Sequence, residues 1–109
     1  MDAVNVADII RHGGDPDTYV RFPSNDTITL GTAGGERIHI TSDGKIGMKT
    51  TSPQKDLHVY NSSVATVRIE TGDSRGQAWD ILSTNGAASN TGTLSFRDES
   101  GSSYMDFGA

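Results

Sequence analysis

From Thr18 onward the chain alternates apolar and polar residues in short bursts separated by turn-forming clusters. Val20 and Phe22 alternate with Tyr19 and Arg21; Ile28 and Leu30 with Thr27 and Thr29; Ile38 and Ile40 with Arg37, His39 and Thr41. A period of two places successive side chains on opposite faces of an extended backbone, so each burst predicts a half-buried strand. Pro23, Ser24, Asn25 and Asp26 predict a turn, as does the glycine-rich stretch at 31–35. Asp43-Gly44 suits the positive φ angles of a tight hairpin, after which Ile46 and Met48 resume the alternation.

The second half repeats the theme. Leu57 and Val59, Val67 and Ile69, Trp79 and Ile81, Leu94 and Phe96, and Met105 and Phe107 each bracket a polar residue. Turns are expected at 61–63, 71–74, Asn85-Gly86 and Ser100-Gly101, giving about nine short strands. The pairs beginning at Ile38, Val67 and Leu94 echo one another at spacings of 29 and 27 residues, which suits either stacked layers or an ordinary β-meander. Only Val4 to Arg11 has helical character: Val6, Ile9 and Ile10 are spaced for one stripe, yet Gly13 and Gly14 follow at once. That segment reads as an adaptor or as a first strand.

Composition sharpens this into an expectation about assembly. The hydrophobic fraction is 33%, below the roughly 45–50% of an ordinary globular domain, and thirteen glycines and twenty-four serines and threonines take up the difference. Such a low fraction also suits disorder, but the recurring β-branched clusters argue for a folded state. Two or three apolar side chains per strand, worth about 1.5–3 kcal/mol each when buried, must offset about 1–2 kcal/mol of backbone entropy per ordered residue. One chain alone comes out near zero. Three chains around one axis let each apolar face meet its equivalents and hide strand edges.

Several classes are disfavoured. The net charge is −5 and the nine basic residues are scattered, which does not suit a nucleic-acid groove. No cysteine is present to form disulfides or thiolate metal sites. No apolar run approaches the roughly 20 residues of a membrane span. The first residues lack the basic-then-apolar layout of a signal peptide, so action outside a cell implies another route, such as a particle released by lysis.

The stretch from Gly44 through Ile46, Gly47, Met48, Lys49, Thr50, Thr51, Ser52 and Pro53 to Leu57, His58 and Val59 resembles a segment of phage tail-fibre and tailspike-like proteins. That pattern runs glycine, any residue, isoleucine or valine, glycine, isoleucine, glycine, two threonines, serine and proline, then a leucine–valine pair. Upstream, the stretch from Asp8 to Phe22, with His12, Gly13, Gly14, Asp15 and Pro16, looks like the segment that precedes it in marine phage fibres. Together they cover roughly the first half of the chain. Met48 and Lys49 depart from the pattern, which has isoleucine and glycine there, and a lysine would need a backbone angle that glycine takes freely. Many members carry a C-terminal self-cleaving chaperone domain that directs trimerisation. None follows here before Ala109, which implies removal, a longer parent chain, or unaided trimerisation. Independently of the resemblance, Pro53 pushes Ser52 into an extended bend suited to carry the chain between strand layers.

Candidate sites are few. Asp15 and Asp17 offer two oxygen ligands where calcium needs six to eight, so a stabilised turn is the simpler reading and no metal or cofactor is expected. His12, His39 and His58 lie far apart; one histidine per chain on a three-fold axis is geometrically allowed, a polar strand-face role simpler. No Gly-x-Ser-x-Gly elbow or other catalytic neighbourhood occurs, and no enzyme is expected. Trp79, Tyr60 and Tyr104 are the residues best able to stack on a sugar ring, although Trp79 suits core packing at least as well.

The resulting expectation is an all-β, elongated, intertwined or stacked β-prism-like homotrimer, with an N-terminal adaptor at 1–17 and a fibre module at 18–109. Its core would draw on Ile38, Ile40, Ile46, Leu57, Val59, Val67, Ile69, Leu94 and Phe96. The resemblance implies a structural virion fibre or decoration, made in the host cytoplasm and carried on the phage particle surface. Its partners would be other virion proteins and a host-surface glycan, with neither nucleic acid nor membrane insertion. The alternatives are a monomeric β-sandwich that binds carbohydrate and a fragment of a tailspike depolymerase.

Overall fold

The computed structural model of the chain describes residues 3–74, 76–84, 92–98, 100 and 103–108; of the side chains in that last stretch it describes that of Met105. Every helix or strand among them is a β-strand, so the all-β expectation holds. The chain divides into two compact units, Met1–Tyr60 and Asn61–Ala109, each built on one sheet.

The first unit contains β1 (Ile9–His12), β2 (Asp15–Arg21), β3 (Ile28–Thr32), β4 (Gly35–Ile40), β5 (Ile46–Met48) and β6 (Leu57–Val59), hydrogen-bonded in sequence order. The turns are where their residues predict them. Ala33 and Gly34, between β3 and β4, both have positive φ (51° and 72°), the pattern of a type I′ turn that matches the twist of the flanking strands. Gly44 (φ 85°) closes the β4–β5 hairpin, where the Thr41 N–H donates to the Lys45 carbonyl at 3.0 Å.

Of the two readings of the first segment, the first strand is the one found: Ile9–His12 pairs with β2, because the turn at Gly13 and Gly14 (φ 84°) returns the chain at once and the ladder supplies hydrogen bonds that a short helix would not. Residue 17 lies inside β2, and the compact division comes between Tyr60 and Asn61.

The four strand pairs from β1 to β5 are antiparallel, whereas β5 and β6 are parallel, so residues 49–56 must carry the chain back across the sheet. A Cβ on Gly47 would collide with the Thr50 carbonyl, Pro53 is buried, and the Gln54 N–H donates to His58 Nδ1 at 3.3 Å. Gly47 and His58 are opposite one another and face away from Ile46, Met48, Leu57 and Val59, so the crossover lies on the polar side of the sheet. Lys49 enters it with φ 62°, the left-handed region that glycine occupies without a Cβ clash.

The second unit is an antiparallel meander of β7 (Ala65–Glu70), β8 (Ala78–Thr84), β9 (Thr93–Asp98) and β10 (Ser103–Gly108). The turn expected at Asn85-Gly86 lies outside the described residues, as does Gly101 of the turn at Ser100-Gly101.

Candidate functional site

Strand register decides which side chains share a face. In the first unit Ile10 is opposite Val20, Val20 opposite Leu30, Leu30 opposite Ile38, Ile38 opposite Met48, and Met48 opposite Val59. Two residues along, Ile28 is opposite Ile40, Ile40 opposite Ile46, and Ile46 opposite Leu57. Alternation puts all of these on one side of the sheet, as two apolar rows running across the strands.

The opposite side carries the row Arg21, Thr29, His39, Gly47 and His58. Burial is inverted between the two. Thr29 is 0% exposed, while Ile28 and Leu30 on either side of it are exposed. Long polar side chains and the crossover account for this. The ring of Tyr19 lies flat on Gly31: a Cβ there would sit over Cζ, with both Cε atoms 2.6 Å away. On the same face His39 Nδ1 stands 3.1 Å from Glu36 Oε2. On the apolar side Ile46 and Met48 are exposed, Leu57 is 60% exposed, and Ile38, Ile40 and Val59 are half-buried.

The second unit has the same inversion. Val67, Ile81, Phe96 and Met105 stand opposite one another in turn, flanked by Ile69 and Trp79 on one side and by Ala65, Ser83 and Leu94 on the other. Ile69 is 64% and Trp79 41% exposed. The other face holds fully buried Ser95 and the row Arg68, Asp80 and Arg97. There Arg68 Nε and Nη2 donate to Asp80 Oδ1 and Oδ2 at 2.7 and 2.9 Å, and this guanidinium holds the Asp80 carboxyl below its ordinary value. Among the described residues the one buried hydrophobic side chain is Ala78.

All nine residues expected to form a core lie on these two apolar faces: Ile38, Ile40, Ile46, Leu57 and Val59 on the first, Val67, Ile69, Leu94 and Phe96 on the second. Ile10, Val20, Ile28, Leu30, Met48 and Ile81 share those faces and were not among the nine. Their alternation is visible in the sequence; the cross-strand register that unites them is not. Trp79 lies on the apolar face beside Ile69, whereas Tyr60 is 49% exposed with its ring 6.4 Å from that of His58 at 88°. The Tyr104 side chain lies outside the described residues. Asp15 accepts from Thr18 Oγ1 at 2.7 Å, with His12 Nδ1 at 3.7 Å. A hydrogen bond shared with Asp17 lowers the Asp15 pKa and raises that of Asp17. Among the described residues no three His, Asp or Glu side chains gather as metal ligands would.

Searches against protein-family models, curated proteins and solved structures find no match to this chain.

Proposed function

We propose that the chain is a structural module of a bacteriophage fibre or fibre-like decoration that works as a homotrimer on the particle surface and has no chemistry of its own. One observation carries the assembly part: the polar faces are covered by the chain's own residues while the apolar faces stand open. Apolar area is driven out of water at about 25 cal/mol per Å², and contiguous open faces of this kind mark an interface. Copies of the same chain supply the matching surface without any further partner. The phage part rests on the resemblance of residues 44–59. The positive φ of Lys49 is consistent with that resemblance, because the pattern has glycine at this position.

Mass measurement by light scattering tests the reading. Three chains per particle, with a melting temperature that rises with protein concentration, are expected; a monomer that unfolds cooperatively at a concentration-independent temperature would refute it. Contact with a host-surface glycan is the adhesive part of the proposal. Tyr60 is the residue that supports it, since it is exposed beside His58 whereas Trp79 belongs to the apolar face.

A further inference from the structure

The three histidines make different contacts through the same ring nitrogen. His12 Nδ1 stands 3.7 Å from Asp15 Oδ2 and His39 Nδ1 3.1 Å from Glu36 Oε2, whereas His58 Nδ1 meets the backbone N–H of Gln54 at 3.3 Å. A carboxylate accepts, so a proton added to either of the first two rings turns the contact into an ion pair. A backbone N–H can only donate, so Nδ1 of His58 is bare and the proton of its neutral ring sits on Nε2. A second proton would set two donors face to face.

That hydrogen bond belongs to the crossover. The Lys49 N–H donates to the Arg37 carbonyl at 2.9 Å, and the Asp56 carbonyl accepts from the Ile46 N–H at 2.8 Å, which fixes the two ends. Between them, the Ser52 N–H donates to Thr50 Oγ1 and Gln54 Nε2 to the Ser52 carbonyl, both within the segment. Among the described residues, the Gln54–His58 bond is therefore the hydrogen bond that ties the middle of the crossover to the sheet. Around the His58 ring, Gly47 on β5 offers no side chain, His39 beyond it is paired with Glu36, and Tyr60 places its ring 6.4 Å away at 88°. The charged residues of the crossover are Lys49, Lys55 and Asp56, and the Asp56 carboxylate acts on Lys45. Among the described residues no carboxylate pairs with His58, so a charge on its ring gains no ion pair.

We infer that His58 is a proton-operated latch on the crossover, closed while its ring is neutral and open once the ring takes up a second proton. The contribution of the latch is present at high pH and is lost as the pH falls through the range of about 8 to 5 in which an imidazole becomes charged. Acid then frees the middle of residues 49–56 and uncovers Pro53, while the contact between His39 and Glu36 tightens. The pairings from β1 to β5 do not use this bond, so mild acid loosens one end of the first sheet and leaves the rest joined. The latch lies within one chain and does not depend on how many copies assemble.

Solvent-exchange NMR of the Gln54 amide reads this directly. In the unmodified protein its protection, corrected for the intrinsic pH dependence of exchange, should fall roughly two- to tenfold between about pH 8 and 5, the net effect of one hydrogen bond, while the amides of β3 and β4 keep theirs. His58→Asn puts an amide oxygen where Nδ1 lies, an acceptor at every pH, and its Gln54 protection should stay constant over that range. Equal loss in both proteins, or no loss in the unmodified one, overturns the latch. The ring-nitrogen signals of the unmodified protein give a check that needs no variant to fold. Near pH 8 they should place the His58 proton on Nε2, and a proton found on Nδ1 overturns the latch as well.

Discussion

The two units solve one problem with different completeness. Each is a sheet with a covered polar face and an open apolar face, but the first has an apolar row crossing six strands without a polar interruption. In the second, Ser83 and Asp98 interrupt the apolar face, and Asp98 is opposite Trp79. The polar sides differ in kind. The first is covered by a crossover and by Tyr19 on Gly31, the second holds the two-point Arg68–Asp80 pair. An exposed ion pair contributes little to stability, whereas apolar area that leaves water contributes in proportion to its extent. The first unit is therefore the stronger candidate to drive association, with the second following.

The sharpest way to break this comparison is to place a carboxylate in each strip. Ile38→Asp should raise the concentration needed for assembly roughly a thousandfold or more, about 4 kcal/mol, because a charge would be buried without a partner in every copy. Val67→Asp should leave three chains associated and lower only the stability of the second unit. Sedimentation of the two variants side by side checks this, and equal loss from both would show that neither unit leads.

Smaller effects probe the crossover that distinguishes the first unit. Gly47→Ala forces a Cβ against the Thr50 carbonyl and should cost about 1–3 kcal/mol in denaturant unfolding. Lys49→Gly relieves the left-handed strain and should stabilise by about 0.5–1 kcal/mol in the same measurement, the loss of side-chain restriction in the unfolded chain taking back part of the gain.

The smallest expected effect is electrostatic. Lys45 beside Asp43, with Thr41 donating to the same carboxylate, lowers the Asp43 pKa from 3.8 to about 2. A folded-state value below the unfolded one means that the stabilisation is present above about pH 4 and is lost as the pH falls towards 2. Asp43→Asn should flatten that part of an acid-unfolding curve, and the Arg68–Asp80 pair of the second unit should still give way as the pH falls.

The strands were legible because alternation is a local property: Ile28 and Leu30, Ile38 and Ile40, and Val67 and Ile69 all fall where their period places them. So were the turns at Ala33-Gly34 and Asp43-Gly44, since positive φ favours small or turn-forming residues there. The parallel β5–β6 pair was not. Thr50, Thr51, Ser52 and Pro53 announce a bend, but the direction of the following strand depends on contacts between Gly47, Thr50 and His58 that no local pattern encodes. At the candidate interface, the low apolar content signalled that faces would stay open. Which face stays open was settled by register, by the ring of Tyr19, which covers Gly31, and by the crossover against Gly47.

Every pairing within each sheet joins strands consecutive in the chain. Such contacts form early, because little loop must be closed to make them. On the homotrimer proposed above, maturation then separates into two clocks. Hairpins zip at a rate set by the chain itself, and closure follows at a rate set by how often half-finished chains meet. Those waiting chains present adhesive strips to one another indiscriminately, so crowding speeds correct closure and tangling alike. The rate at which chains are supplied becomes part of what determines the final form.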